Sequence, residues 1–101
     1  MKKILLIILI SFLSNSTFAD EKMKIGLEVF NNKAQCGTCH ALQAADAESQ
    51  IGPNLDMLKP LMPQIINVVT NGAGMMPPWS DILTPEEIEA VAYYVFNSTN
   101  N

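Results

Sequence analysis

The stretch that decides the fold of this chain reads Cys36-Gly37-Thr38-Cys39-His40. Its two cysteines and its histidine are the only ones among the 101 residues. A thioredoxin-like Cys-x-x-Cys expects strands and βαβ units around it, and the surrounding sequence does not predict them. A zinc site needs four protein ligands, more than this chain can supply from cysteine and histidine. A plain structural disulfide would have no use for the adjacent histidine.

The same spacing is the attachment signature for c-type haem. Each thiol adds across one vinyl group of the porphyrin, and two intervening residues let both sulfurs reach neighbouring vinyl groups from one turn of chain. The imidazole of His40 then points at the iron from the same side. We therefore predict one haem c, bound covalently through Cys36 and Cys39, with His40 as an iron ligand. The thioether bonds would also stabilise a domain whose own core is small.

The N-terminus has the layout of a secretory signal peptide. Two lysines precede a nearly unbroken apolar run over 4–13, and Thr17-Phe18-Ala19 offers small residues where a signal peptidase reads them. A membrane-spanning helix needs about 20 apolar residues, roughly twice this run. We predict a signal peptide over 1–19 that is cleaved, and one domain over 20–101. This domain would be periplasmic and would have no stable membrane insertion after cleavage.

The charge of the predicted mature domain argues against nucleic acid as a partner. Residues 20–101 contain four lysines, no arginine and ten acidic residues, a formal charge of −6. Binding to a phosphate backbone requires the opposite sign.

Two stretches before residue 72 have helical patterns. Residues 20–33 place Met23, Leu27 and Phe30 on one face, at a spacing typical of an amphipathic helix. A shorter apolar segment over 63–71 also predicts a helix, although its β-branched residues would suit a buried strand. We predict no hairpin.

The last helix has the clearest start. Thr84 is the predicted N-cap, Pro85 takes the first helical position, and Glu87 completes a capping box. The polar tail from Asn97 onward predicts fraying. The apolar stripe of this helix has four members: Ile88, Val91, Ala92 and Val95.

The second axial ligand of the iron must be methionine, water or nothing, because the chain has one histidine. The predicted mature chain offers five methionines: Met23, Met57, Met62, Met75 and Met76. The first three fit better as core or pocket lining. Met75 and Met76 stand in a loop rich in glycine and proline, and adjacent side chains in an extended segment point opposite ways. Because Met76 precedes Pro77, its backbone is biased toward extended geometry, which favours Met76 without excluding its neighbour.

Three segments in this order resemble the small class I monohaem c-type cytochromes: Cys36-Gly37-Thr38-Cys39-His40, Gly52-Pro53-Asn54-Leu55 and Asn71-Gly72-Ala73-Gly74-Met75-Met76-Pro77. The resemblance implies that Met76 is the sixth ligand. It also implies that the carbonyl of Pro53 accepts a hydrogen bond from His40, that Leu55 packs against the haem, and that Trp79 covers a haem edge. Packing of Trp79 in the protein core is an equally open alternative.

The resemblance further implies an all-α cytochrome c fold of three to five short helices around the haem. Its first and last helices would cross where Gly26 and Phe30 meet Val91 and Tyr94.

The function it implies is a monomeric one-electron carrier between respiratory or dehydrogenase partners, which would carry basic docking surfaces. It would not be an enzyme and would have no catalytic residues. Two alternative functions also fit the sequence. One is a haem enzyme or gas sensor with an open sixth position, and the other is an electron-accepting subunit of a dehydrogenase.

Overall fold

The computed structural model describes residues 17–100, which form a helical domain. Its four α-helices confirm the predicted all-α fold of three to five short helices. Residues 1–16 of the predicted signal peptide lie outside the described part, and cleavage between Ala19 and Asp20, a position within the first turn of α1, stays a prediction. Among residues 17–100, no helix is both long enough and apolar enough to cross a membrane. The α-helices are α1 (Phe18–Glu28), α2 (Leu55–Leu58), α3 (Met62–Asn71) and α4 (Pro85–Thr99).

The first helical segment changes its hydrogen-bond pattern before the cysteine motif. Helix α1 continues without a break into a π-helical turn, Val29–Lys33, in which the Ala34 N–H donates to Val29 O at 2.8 Å. Gly26, Val29 and Phe30 are buried. The prediction that Leu27 belongs to the buried face is wrong, because this side chain is 39% exposed. The contact with α4 centres on Gly26, and the next residue along a helix lies at the flank of such a contact.

The prediction that the domain contains no hairpin is also wrong. Two-residue strands β1 (Ala41–Leu42) and β2 (Ala47–Glu48) pair antiparallel, with Ala41 opposite Glu48. The connection contains a 3-10 turn and Asp46, whose φ of +55° is left-handed. Strands of two residues are too short to show alternation, and alanine has little preference for them.

The start of α4 is confirmed in detail. Thr84 Oγ1 accepts from the Glu87 N–H at 3.1 Å, and Glu87 Oε1 accepts from the Thr84 N–H at 2.9 Å. The predicted apolar stripe of α4 is buried throughout. The predicted fraying is wrong, because the helix runs to Thr99, which is only 3% exposed. The Thr99 hydroxyl donates to Val95 O at 2.9 Å, so this polar side chain is satisfied within the helix.

Helices α1 and α4 cross at the contact that the resemblance implies. A Cβ on Gly26 would fall 2.5 Å from Tyr94 Cβ, so only glycine permits this approach. The Phe30 and Tyr94 rings pack with centroids 5.9 Å apart and planes inclined at 57°. Helix α3, which confirms the helix predicted over 63–71, packs on α4 and completes the core.

Candidate haem site

The cysteine motif folds into a single turn. Residues Cys36–Thr38 form a 3-10 helix, and the N–H groups of Cys39 and His40 both donate to Cys36 O, at 3.1 and 3.0 Å. Gln35 enters this turn with a left-handed φ of +49°. The turn therefore gathers two cysteines and the histidine within five residues of chain.

Both thiols of the motif are free and partly buried. Burial raises the pKa of the Cys36 thiol to about 11, so this thiol keeps its proton at neutral pH. Thioether formation uses a thiol with its hydrogen, because the sulfur and the hydrogen add to the two carbons of a vinyl group. The motif therefore offers the groups that haem attachment requires.

The imidazole of His40 is held in one tautomer. Its Nδ1 lies 2.8 Å from Pro53 O, the contact that the resemblance implies. Because a carbonyl oxygen can only accept, Nδ1 carries the proton and Nε2 keeps a lone pair for a metal. A Cβ on Gly52 would fall 2.7 Å from His40 Cε1, so the chain passes close to the ring only because residue 52 is glycine.

Helix α2 begins two residues after Pro53, whose carbonyl lies against His40, and the sequence did not lead us to predict this helix. Asn54 is its N-cap, with Oδ1 accepting from the Met57 N–H at 3.2 Å. The buried Leu55 begins the helix and belongs to the core. An asparagine after proline was a capping signal that could have revealed this single turn. Packing of Leu55 against haem stays a prediction.

The methionine loop separates Met75 from Met76 by a hydrogen-bonded turn. Ala73 and Met76 exchange two backbone hydrogen bonds of 3.0 and 2.9 Å. Gly74, the first central residue, has a φ of +58°, and Met75 has a negative φ, the pattern of a type II′ turn. Met75 at the tip is 92% exposed, whereas Met76 is partly buried and packs on the core.

Gly72 lets this loop return along α3. A Cβ there would fall 2.8 Å from Met76 O and 2.9 Å from Pro78 N, and its φ of +78° is left-handed. After the two prolines, the Trp79 N–H donates to Val69 O at 2.8 Å, and its side chain packs partly buried on the core. That Trp79 covers a haem edge stays a prediction.

Comparison with known proteins identifies this arrangement. The family model described as cytochrome c oxidase, cbb3-type, subunit III matches residues 21–95. The chain belongs to the c-type cytochromes. Among solved structures, it resembles the c-type cytochrome SorU from Sinorhizobium meliloti. The two are 44% identical, with a TM-score of 0.76, over 81% of this chain and 95% of that one.

Curated relatives of this cytochrome point to the same family. It is 39% identical to cytochrome c6 of Bryopsis maxima over 77% of its own length and 93% of the relative. It is 34% identical to the chloroplastic cytochrome c6 of Chlamydomonas reinhardtii, over 78% of this chain and 56% of that protein.

The family implies one covalently bound haem c with its iron, and a role in electron transport. The residues present fit that group. Cys36 and Cys39 form its attachment motif, both as free thiols. The hydrogen bond from Nδ1 of His40 leaves Nε2 for a metal. When bound, the haem iron supplies a one-electron couple.

Proposed function

We propose that this protein is a periplasmic one-electron carrier whose haem is attached through Cys36 and Cys39 and ligated by His40 and Met76. The observations that support this proposal concern two side chains from separate parts of the fold. The Nδ1–H of His40 is committed to Pro53, and Met76 is turned toward the core. When bound, the haem would accept one electron from a donor protein and pass it to an acceptor protein, with His40 and Met76 holding its iron.

A methionine as the sixth ligand would also explain why the protein transfers electrons and does not turn over a substrate. Methionine is a soft ligand that raises the potential of haem iron. With both axial positions filled by protein, oxygen or peroxide would have to displace Met76 before reacting. No bond in a substrate is made or broken in the proposed cycle, so no catalytic residue is required.

The charged side chains support partners with basic docking surfaces. The predicted mature chain has a formal charge of −6. Three of its four lysines are bonded to α4, which limits their freedom to form a basic ring around the haem. Lys22 lies 3.4 Å from Glu89, Lys33 pairs with Glu87, and Lys59 Nζ donates to Thr99 O at 2.9 Å. We propose a monomer that meets these partners briefly.

Replacing Met76 tests the ligand assignment, and the adjacent methionine is the matched control. In Met76→Ala we expect the weak far-red absorption band of the ferric protein, which reports iron–thioether bonding, to disappear and the potential to fall. Ferrous Met76→Ala should bind carbon monoxide readily. Met75→Ala should keep the band and the potential. Its ferrous form should react slowly with carbon monoxide, as we expect of the unmodified protein.

The opposite result for the two variants would assign ligation to Met75. Rapid carbon monoxide binding by the unmodified protein would instead support a gas sensor or haem enzyme.

The intact mass of the protein from the periplasm tests the predicted signal cleavage and the covalent attachment of haem. It should equal residues 20–101 plus one haem, and the colour should stay with the polypeptide in acid–acetone.

A permanent subunit is the second candidate. The name of the matching family model, an oxidase subunit, favours this alternative. Size-exclusion chromatography of a gently prepared periplasmic extract separates the two. A free carrier elutes at the size of one small domain, whereas a subunit elutes with a larger redox protein.

A further inference from the structure

Three hydrogen bonds connect the end of the cysteine motif and the chain just after it with the chain before and within α2, and all three join residues 13 apart. We call this set the proximal ladder. Its rungs are Cys39 O with Gly52 N at 2.6 Å, His40 Nδ1 with Pro53 O at 2.8 Å, and Asp56 Oδ2 with Gln43 N at 2.8 Å.

The rungs on either side of His40 limit how far Pro53 O can move from the imidazole. The first rung is backbone to backbone and holds Gly52 beside Cys39. The last rung uses the carboxylate of Asp56, and a hydrogen bond to a charged acceptor is stronger than a neutral one. The side chain of Asp56 therefore holds the α2 side of the ladder, and a substitution at residue 56 can remove this rung.

Helix α2 is anchored at its other end as well. Asp56 lies in the first turn of α2. Lys59, the C-cap of α2, donates from Nζ to Thr99 O at the end of α4. Helix α2 is therefore attached to the backbone of Gln43 through Asp56 and to the end of α4 through Lys59.

We propose that Asp56 is a positioning residue for the proximal histidine. By closing the ladder it keeps the Pro53 carbonyl on the Nδ1–H of His40, which fixes the ring orientation and raises the electron donation of Nε2 to the iron. This inference rests on the proposed function, because it takes His40 as an axial ligand. A stronger donor stabilises ferric iron, so opening the ladder should raise the reduction potential.

The test measures the exchange of the His40 Nδ1 proton in the holoprotein, through its hyperfine-shifted NMR resonance, together with the potential. In Asp56→Ala we expect exchange about tenfold faster, the effect of losing one hydrogen bond to a charged group. Asp56→Asn keeps an acceptor oxygen and should stay closer to the unmodified protein. Asp46→Asn, the matched control, removes a nearby charge without touching the ladder and should leave the exchange rate unchanged.

Unchanged exchange in Asp56→Ala would overturn the inference, as would equal changes in Asp56→Ala and Asp46→Asn, since these indicate charge alone. If Asp56→Ala does not retain haem, Asp56→Glu replaces it, because it keeps the charge but displaces the carboxylate by one methylene. It should then speed exchange, and no effect would overturn the inference. Absence of any hyperfine-shifted His40 ring resonance in the unmodified protein would instead refute His40 ligation, and with it the proposed function.

Discussion

The glycine beside His40 shows how a residue without a side chain determines the geometry of a ligand. Adding a methyl group at Gly52 would place it 2.7 Å from Cε1 of His40, so the ring or the chain must move. We expect Gly52→Ala to cost about 1–3 kcal/mol of unfolding free energy, the usual range for overpacking. It should also shift the potential, because the imidazole is displaced. Urea unfolding and potentiometry measure the two effects.

Gly37→Ala is the control for this substitution. It adds the same methyl group inside the cysteine motif, where it would approach Ala47 Cβ at 3.0 Å rather than the imidazole. This variant should lose some stability and keep the potential. Equal shifts of potential in both variants would show that the motif responds to any added volume.

The two cysteines and the histidine could be identified as haem-binding residues from the sequence, because their spacing is the one that covalent haem attachment requires. The preference for Met76 over Met75 was argued from the adjacent Pro77 and from the family resemblance. The structure adds the turn at Gly74, whose positive φ helps place Met75 at an exposed tip. The need for Gly52 could not be predicted, because it depends on a ring 12 positions earlier in the chain.

At the level of elements, the α1–α4 crossing depends on Gly26. We expect Gly26→Ala to lower the free energy of unfolding by about 1–3 kcal/mol, since the new methyl would meet the α4 backbone and Tyr94. Ile25→Ala on the same helix is the control. Its side chain is 42% exposed, so its effect should be much smaller. Denaturant midpoints distinguish them, and equal losses would contradict a contact centred on residue 26.

The capping box of α4 makes stability depend on pH. The hydrogen bond from Lys33 is the main cause that lowers the pKa of Glu87, and the Thr84 N–H adds to it. A carboxyl whose folded pKa is depressed contributes stability above its unfolded pKa, and this contribution is lost as the pH falls through the folded pKa. The unfolding free energy should therefore fall on acidification below about pH 4.5, and less so in Glu87→Gln.

Glu86→Gln is the control, because it removes the neighbouring carboxylate without touching the pair. It should keep the acid dependence of the unmodified protein. If Glu87→Gln lost stability as steeply as the unmodified protein between pH 5 and pH 3, another carboxyl group would be responsible.

Elements with strong local signals could be predicted, and those defined by tertiary contacts could not. The start of α4 has an N-cap, a first-turn proline and a capping-box glutamate, so the position of its first turn followed from the sequence. Helix α2 and the two strands are two to four residues long and carry no periodicity. The helical end that was predicted to fray is instead fixed by the burial of Thr99.

At the level of the whole molecule, the negative charge should steer association. We expect the second-order rate with a basic redox protein to fall tenfold or more between about 0.01 M and 0.1 M salt, as the Debye length shrinks from about 30 Å to about 10 Å. Stopped-flow mixing with a basic and an acidic partner of similar potential measures this. A rate indifferent to salt, or faster reaction with the acidic partner, would contradict steering by net charge.

The π-helical turn between α1 and the cysteine motif has a consequence for how this sequence can change during evolution. A π turn holds one residue more than an α turn, and such turns behave as single-residue insertions in a helix. A homologue lacking one residue between 29 and 34 could close the segment with ordinary α hydrogen bonds. A deletion over 26–28 would instead change the helical spacing of Gly26 from Phe30 and rotate one of them away from α4. Gaps in an alignment of this family should therefore be tolerated over 29–33 and be rare over 26–28.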